Sequence, residues 1–115
     1  MDTFISAHAL VRTIELGFVF EDGVAKVVPV EWSRGTTVLD ALKSASHKPH
    51  GISFRASDDG RSVFISEIDG QANDASGNWM YWVNGEFATV GCGENRLKAG
   101  DIVCWKFEPF DAKAR

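Results

Sequence analysis

The chain has 115 residues, of which 44% are hydrophobic and 24% charged, with a formal net charge of -4. That length suits one domain with a real core, and the composition excludes a disordered or fibrous chain. Acidic and basic residues are interleaved with no basic stripe, and the apolar runs fall far short of the roughly 20 residues that span a bilayer, so neither nucleic acid nor a membrane is an expected partner.

Residues 1–9 read as a leader into the first strand. Ala7-His8-Ala9 has the small-x-small form of a cleavage site, but no basic segment or apolar stretch precedes it, so no signal peptide is assigned and a cytoplasmic setting is favoured over export. One domain is expected over residues 10–110, with 111–115 as a tail. Leu10, Ile14, Leu16, Phe18 and Phe20 keep one parity, broken at Arg12, which is the period-2 signal of a strand. Glu21-Asp22-Gly23 supplies a tight turn, and a valine-rich second strand runs from Val24 to Trp32. Pro29 lacks a backbone donor and so puts that strand at a sheet edge or at a bulge.

A helix is expected from Thr37 to about Ser46. Thr37 can cap it, Asp40 completes a capping box, and Val38, Leu39, Leu42 and Ala45 form its apolar stripe. Pro49 ends it. Strand signals follow at Ile52–Phe54 and Ser62–Ile68, with a turn at Ser57–Gly60 between them and a polar loop over Asp69–Gly77. Trp79–Val83 and Glu86–Thr89 make a second hairpin about the Asn84-Gly85 turn, and a last strand covers Ile102–Phe107. The order of hairpin, helix and several strands specifies an α+β, β-grasp-like fold: a mixed sheet of about five to seven strands packed on one short helix.

Two segments carry three of the four tryptophans and the only tyrosine, Gly77-Asn-Trp-Met-Tyr-Trp-Val-Asn-Gly85 and Gly100-Asp-Ile-Val-Cys-Trp-Lys-Phe107. In the first, Trp79, Tyr81 and Val83 point one way while Met80 and Trp82 point the other. One face makes the core, and the second must be covered or used. With Gly35-Thr-Thr-Val-Leu-Asp-Ala-Leu42 and Leu97-Lys-Ala-Gly100, these segments resemble the transcobalamin-like C-terminal domain family, a domain of unknown function in its bacterial members. The resemblance implies a β-grasp-like fold. It also implies a ligand-binding role, since in the vitamin B12 carriers this domain is the smaller half of a clamp around a corrinoid. The larger helical half has no counterpart here.

No catalytic constellation is apparent. His47 and His50 flank Pro49 beyond the helix and lack a third partner, and the glycines match no phosphate-binding fingerprint. Asp58-Asp59-Gly60 suits a turn better than a calcium loop, and Asp69, Asn73 and Asp74 read as solvated loop residues. Cys92 and Cys104 lack further ligands at zinc spacing and read as small buried hydrophobes rather than a bridge. The expectation is therefore a non-catalytic domain with no catalytic residue, no metal site and no required cofactor. Its ligand would be a small molecule, with cobalamin or a related corrinoid first, held by exposed members of Trp79, Tyr81, Trp82 and Trp105, with Asn84 offering an amide at the rim. The alternative is a protein-protein interaction or structural module that uses the same aromatic face.

Overall fold

The structure, a computed structural model, describes residues 12–58 and 62–110. The leader, the tail and the second half of the Ser57–Gly60 turn lie outside these residues. The opening hairpin pairs β1 (Thr13–Val19) with β2 (Ala25–Glu31), Thr13 opposite Glu31 and Val19 opposite Ala25. Alternation sends Ile14, Leu16 and Phe18 fully into the interior. β2 lies at the sheet edge, where Pro29 breaks no interior ladder.

The helix α1 spans Val38–Ser46. Thr37 caps it: its hydroxyl accepts from the Asp40 amide at 3.1 Å, while the Asp40 carboxylate accepts from the Thr37 amide at 3.0 Å. This reciprocal pair satisfies two helix-start donors, as the spacing predicts. Val38, Ala41, Leu42 and Ala45 are its buried stripe; Leu39 is partly exposed.

The later strands are β3 (Phe54–Asp58), β4 (Val63–Ile68), β5 (Gln71–Ala72), β6 (Gly77–Val83), β7 (Glu86–Phe87) and β8 (Ile102–Pro109). They divide into two sheets. A mixed five-stranded sheet runs β2-β1-β8-β6-β7, and an antiparallel three-stranded sheet runs β3-β4-β5. In the larger sheet β1 and β8 are parallel, Glu15 opposite Ile102, and the other pairs are antiparallel.

Three expectations change. β3 begins at Phe54 and includes Ser57 and Asp58, because Ile52 is drawn into the core by the turn after α1 instead of pairing. The Asp69–Gly77 segment is not one loop. Asp69 (φ 48°) and Gly70 (φ 88°) form a two-residue turn that starts β5, the Asp-Gly pair being suited to left-handed backbone at both positions. The hairpin after Asn84-Gly85 has a short return strand, since only Glu86 and Phe87 pair.

The core lies on one face of the large sheet. Phe18, Val30, Val103 and Phe107 pack there with the α1 stripe, and Ile65 and Ile68 join them from the smaller sheet. Both cysteines are free thiols, Cys92 buried and Cys104 half-buried. No helix among the described residues is long and apolar enough to cross a membrane.

Gly77 fixes how closely β6 starts beside β8. A Cβ there would stand 2.5 Å from the Glu108 carbonyl oxygen and 2.8 Å from Phe107 Cε2. Gly77→Ala is expected to lower stability by about 1–3 kcal/mol, because the backbone contact cannot rotate away as a side chain would. A urea denaturation midpoint equal to that of the unsubstituted protein would remove Gly77 from this role.

Candidate functional site

The pairing of β6 with β8 sorts the aromatics by face. Trp79 lies opposite Phe107 and Tyr81 opposite Trp105, and all four side chains are buried on the inner face. Trp79 meets Phe20 and Phe107 edge-on at centroid distances of 5.3 and 5.7 Å, and its Nε1 donates to the Gln71 carbonyl at 2.8 Å. Tyr81 lies 4.7 Å from Trp105, centroid to centroid. These contacts make Trp79, Tyr81 and Trp105 interior walls rather than an open stacking platform.

Trp82 takes the other face. It is half-buried, meets Phe87 edge-on at 5.4 Å, and has Lys106 Nζ over its ring at 4.9 Å. The thickness of the sheet separates it from Trp79, Tyr81 and Trp105. Asn84 holds the left-handed turn position at φ 50°. Its Nδ2 donates to Asp101 Oδ1 at 2.9 Å and its Oδ1 accepts from the Ile102 amide at 2.8 Å. Asn84 therefore ties the hairpin to β8, with both ends of its amide engaged internally. It also satisfies part of the buried Asp101 carboxylate, whose other oxygen accepts from the Lys98 amide at 2.7 Å.

A cleft of about 580 Å³ opens between the two sheets, against Tyr81, Trp79 and Trp105. It exists because β4 and β6 approach without pairing. At one end Asn73 spans them, its Nδ2 donating to the Ile65 carbonyl at 3.1 Å and its Oδ1 accepting from the Trp79 amide at 2.9 Å. At the other end Cys92 Sγ lies 3.8 Å from the Val63 carbonyl oxygen. Between these ties the walls are mainly apolar, and Phe64 (52% exposed) and Val90 (48% exposed) stand at the opening. The Tyr81 hydroxyl donates to the Val90 carbonyl at 2.7 Å and accepts from Asn95 Nδ2 at 3.2 Å, which pins the loop wall. Trp105 Nε1 is buried with no hydrogen-bond partner among the described residues. An orphaned buried donor is costly, and an acceptor brought by a ligand or a water offsets that cost.

Phe64 and Val90 were not candidates from sequence. Phe64 sits among alternating strand residues and Val90 in a small-residue bend, so neither pattern marks a wall. The other candidates disperse. His47 and His50 are exposed at the end of α1. Asp69 accepts from the Ser53 amide and pairs with Lys26 at 3.0 Å, and Asn73 is the inter-sheet tie. Hydrogen bonds from the Ser76 hydroxyl and amide hold the Asp74 carboxyl below its ordinary range. Among the described residues no group of three His, Cys, Asp or Glu is placed to hold a metal ion. Burial pushes both thiols up, away from the reactive thiolate.

Burial also raises the Tyr81 phenol, against the opposing hydrogen bond from Asn95. Tyr81 is the single tyrosine of the chain, so absorbance near 295 nm reports it alone. The titration is expected above the ordinary value of about 10. A raised folded value means the contribution to stability is complete below about 10 and is lost as pH rises through the folded value. The urea midpoint should therefore fall in that window, and Tyr81→Phe should remove this part of the fall. A phenol titrating at the free-tyrosine value would contradict the burial.

Comparison with known proteins places this architecture. A chain from Ruminococcus gnavus, named as a candidate metal binding protein, superposes with a TM-score of 0.68 at 15% identity, covering 85% of this chain and 97% of that one. Haptocorrin in complex with Cbi superposes with a TM-score of 0.74 at 16% identity; 85% of this chain is covered, and it spans 25% of the haptocorrin chain. No curated protein matches the chain. At these identities the likeness is one of fold. A family model, described as a domain of unknown function (DUF4430), matches residues 35–109, more than half of the chain and all of the cleft-lining segments. The chain belongs to the DUF4430 family.

Proposed function

We propose that the protein is a small-molecule-binding domain of the transcobalamin-like kind, and that its ligand enters the cleft between the two sheets. The observation that carries this reading is the cleft itself, apolar in most of its wall and bounded by Tyr81, Trp79 and Trp105, whose buried Nε1 has no hydrogen-bond partner among the described residues. Ligand sites are commonly of this size and composition, with few polar groups to fix orientation. A rigid body with an apolar face and a hydrogen-bond acceptor would bury against Phe64 and Val90 while approaching the buried aromatics. The finer fold reading is β-grasp-like, with α1 lying across the mixed sheet beside its central parallel pair.

Corrinoids are the first ligand to try. Haptocorrin, a structural neighbour, is described in complex with Cbi, and this chain spans a quarter of it. A domain of that extent would enclose a corrinoid on one side only, so its affinity would be well below that of a two-sided clamp. No cofactor is required under this reading and no catalysis is assigned.

The test is a titration of the protein with cobinamide and with cobalamin, followed by tryptophan emission corrected against free tryptophan, and by the corrin spectrum. Saturable binding in the micromolar range is expected. Phe64→Ser removes an opening contact and Val90→Glu places a charge at the mouth, and each should weaken binding about tenfold or more, as loss of a good apolar contact does. Neither side chain is needed for the core, so the denaturation midpoints should hold. Absence of saturation at millimolar ligand would end the corrinoid reading. Binding that neither substitution changes would end the assignment to this cleft.

A further inference from the structure

The cleft follows a strand edge rather than a sheet face. Met80 and Phe87 stand on the outer face of the five-stranded sheet and Trp79 and Tyr81 on its inner face, yet all four line the cleft. Side chains of opposite faces share one cavity where it runs along the edge of the strand that carries them. On that side β6 bridges to Asp74 at Gly77 and pairs with β7 from Trp82 onward, and the stretch between has no neighbouring strand. The chain leaves this edge after Ala88, where the Tyr81 hydroxyl, on the inner face, holds the Val90 carbonyl.

The main-chain groups of the open stretch divide into used and unused. The Trp79 amide donates to Asn73 Oδ1 at 2.9 Å, and the Tyr81 carbonyl accepts from the Ala88 amide at 3.0 Å. The amide and carbonyl of one strand residue point to the same side, so the Trp79 carbonyl and the Tyr81 amide also face the cleft. Neither has a hydrogen-bond partner among the described residues. Such groups on a strand edge are a template for another extended backbone.

Their order is selective. An acceptor on Trp79 and a donor on Tyr81, flanking Met80, match a single residue of a parallel strand, whose amide donates to the first and whose carbonyl accepts from the second. An antiparallel strand would also call on the Trp79 amide and the Tyr81 carbonyl, which are already engaged. None of the described residues that line the cleft carries a charge, and burial pushes the Cys92 thiol up, toward its neutral form. A bare amine or carboxylate would be left unpaired there, so both ends of the incoming residue must be amides.

We propose that the cleft binds an uncharged, extended peptide, one residue of which lies opposite Met80 and parallel to β6. The proposal rests on the cleft being the ligand site and names the class of ligand it takes. The side chain of the central residue shares the outer face with Met80, and those of its two neighbours turn inward toward Trp79 and Tyr81. A sequence with apolar residues on either side of a freely chosen one fits these walls. In this mode main-chain hydrogen bonds supply affinity, and the pockets for alternate side chains supply selectivity.

The probe is N-acetyl valyl-seryl-valine amide, titrated into the unsubstituted protein and followed by tryptophan emission and by hydrogen exchange of single amides. Saturable binding in the high-micromolar range is expected, with slowed exchange at the Tyr81 amide. Methylation of the seryl nitrogen removes the donor to the Trp79 carbonyl and should weaken binding about tenfold or more, since a buried acceptor is left without a partner. Methylation of the second valyl nitrogen, which faces away from β6, should cost less. The same tripeptide with free, charged ends should bind more weakly than the blocked form. Cobinamide run alongside separates two failures. A protein that binds cobinamide but no peptide at millimolar concentration would overturn the peptide proposal and leave the cleft as the ligand site. Failure of both to bind would end the cleft reading as well. Peptide binding that ignores the seryl methyl group, or that leaves exchange at Tyr81 unchanged, would also overturn the proposal.

Discussion

The parallel pairing of β1 with β8 is the constraint on which the rest of the molecule rests. It sets Leu16 beside Val103 and Phe18 beside Trp105, joining the opening hairpin to the last strand across nearly the whole described chain. Parallel neighbours need a long crossover, and here the crossover contains α1, the three-stranded sheet and the β6–β7 hairpin. Each of these finds its place by reference to that central pair. α1 lies over β1 and β2, and β6 extends the sheet on the far side of β8.

The same pairing explains why the cleft is where it is. β6 is pinned to β8 on one side through seven residue pairs, from Gly77–Pro109 to Val83–Val103. Its other side is pinned only near its end, by the short β7. The smaller sheet approaches that free side but belongs to its own ladder, and Asn73 holds it at a distance with one amide group. A gap remains, floored by aromatic rings that the core already needs. A site of this kind costs little additional structure. The rings serve stability on one edge and present apolar surface on another, which is how aromatics with a polar handle are often used.

Much of this was legible in the chain. Alternation in β1 and β6, the Thr37–Asp40 capping box, the edge position announced by Pro29 and the Asn84-Gly85 turn each act within a few residues, so their physics is local. The family resemblance reached the fold through the Trp-x-Tyr-x-Val-Asn-Gly segment. What the chain did not disclose was assignment to sheets and to faces. Trp79 and Trp82 are three residues apart and equally aromatic, and only the position of α1 decides which is interior. Asp69-Gly70 carries the same turn chemistry as Asn84-Gly85, but its flanks are polar and hid the hairpin. Phe64 and Val90 become walls of one cleft through the long-range tie between Cys92 and Val63, which has no local sign.

The central position of β8 also bears on how a ribosome-bound chain acquires this shape. The strand at the middle of the large sheet is the last of the described strands to be synthesised. Until it emerges, the β1–β2 hairpin and the β6–β7 hairpin have no shared neighbour, and each leaves an apolar edge unmatched. Two-stranded ribbons are marginal alone in water. The nascent domain must therefore remain open for most of its translation and close late, in a single long-range event whose entropy of loop closure comes due before its contacts form. Glu15 and Glu31 stand exposed on the outward side of the first hairpin, where charge disfavours pairing with another chain while the hairpin waits for β8.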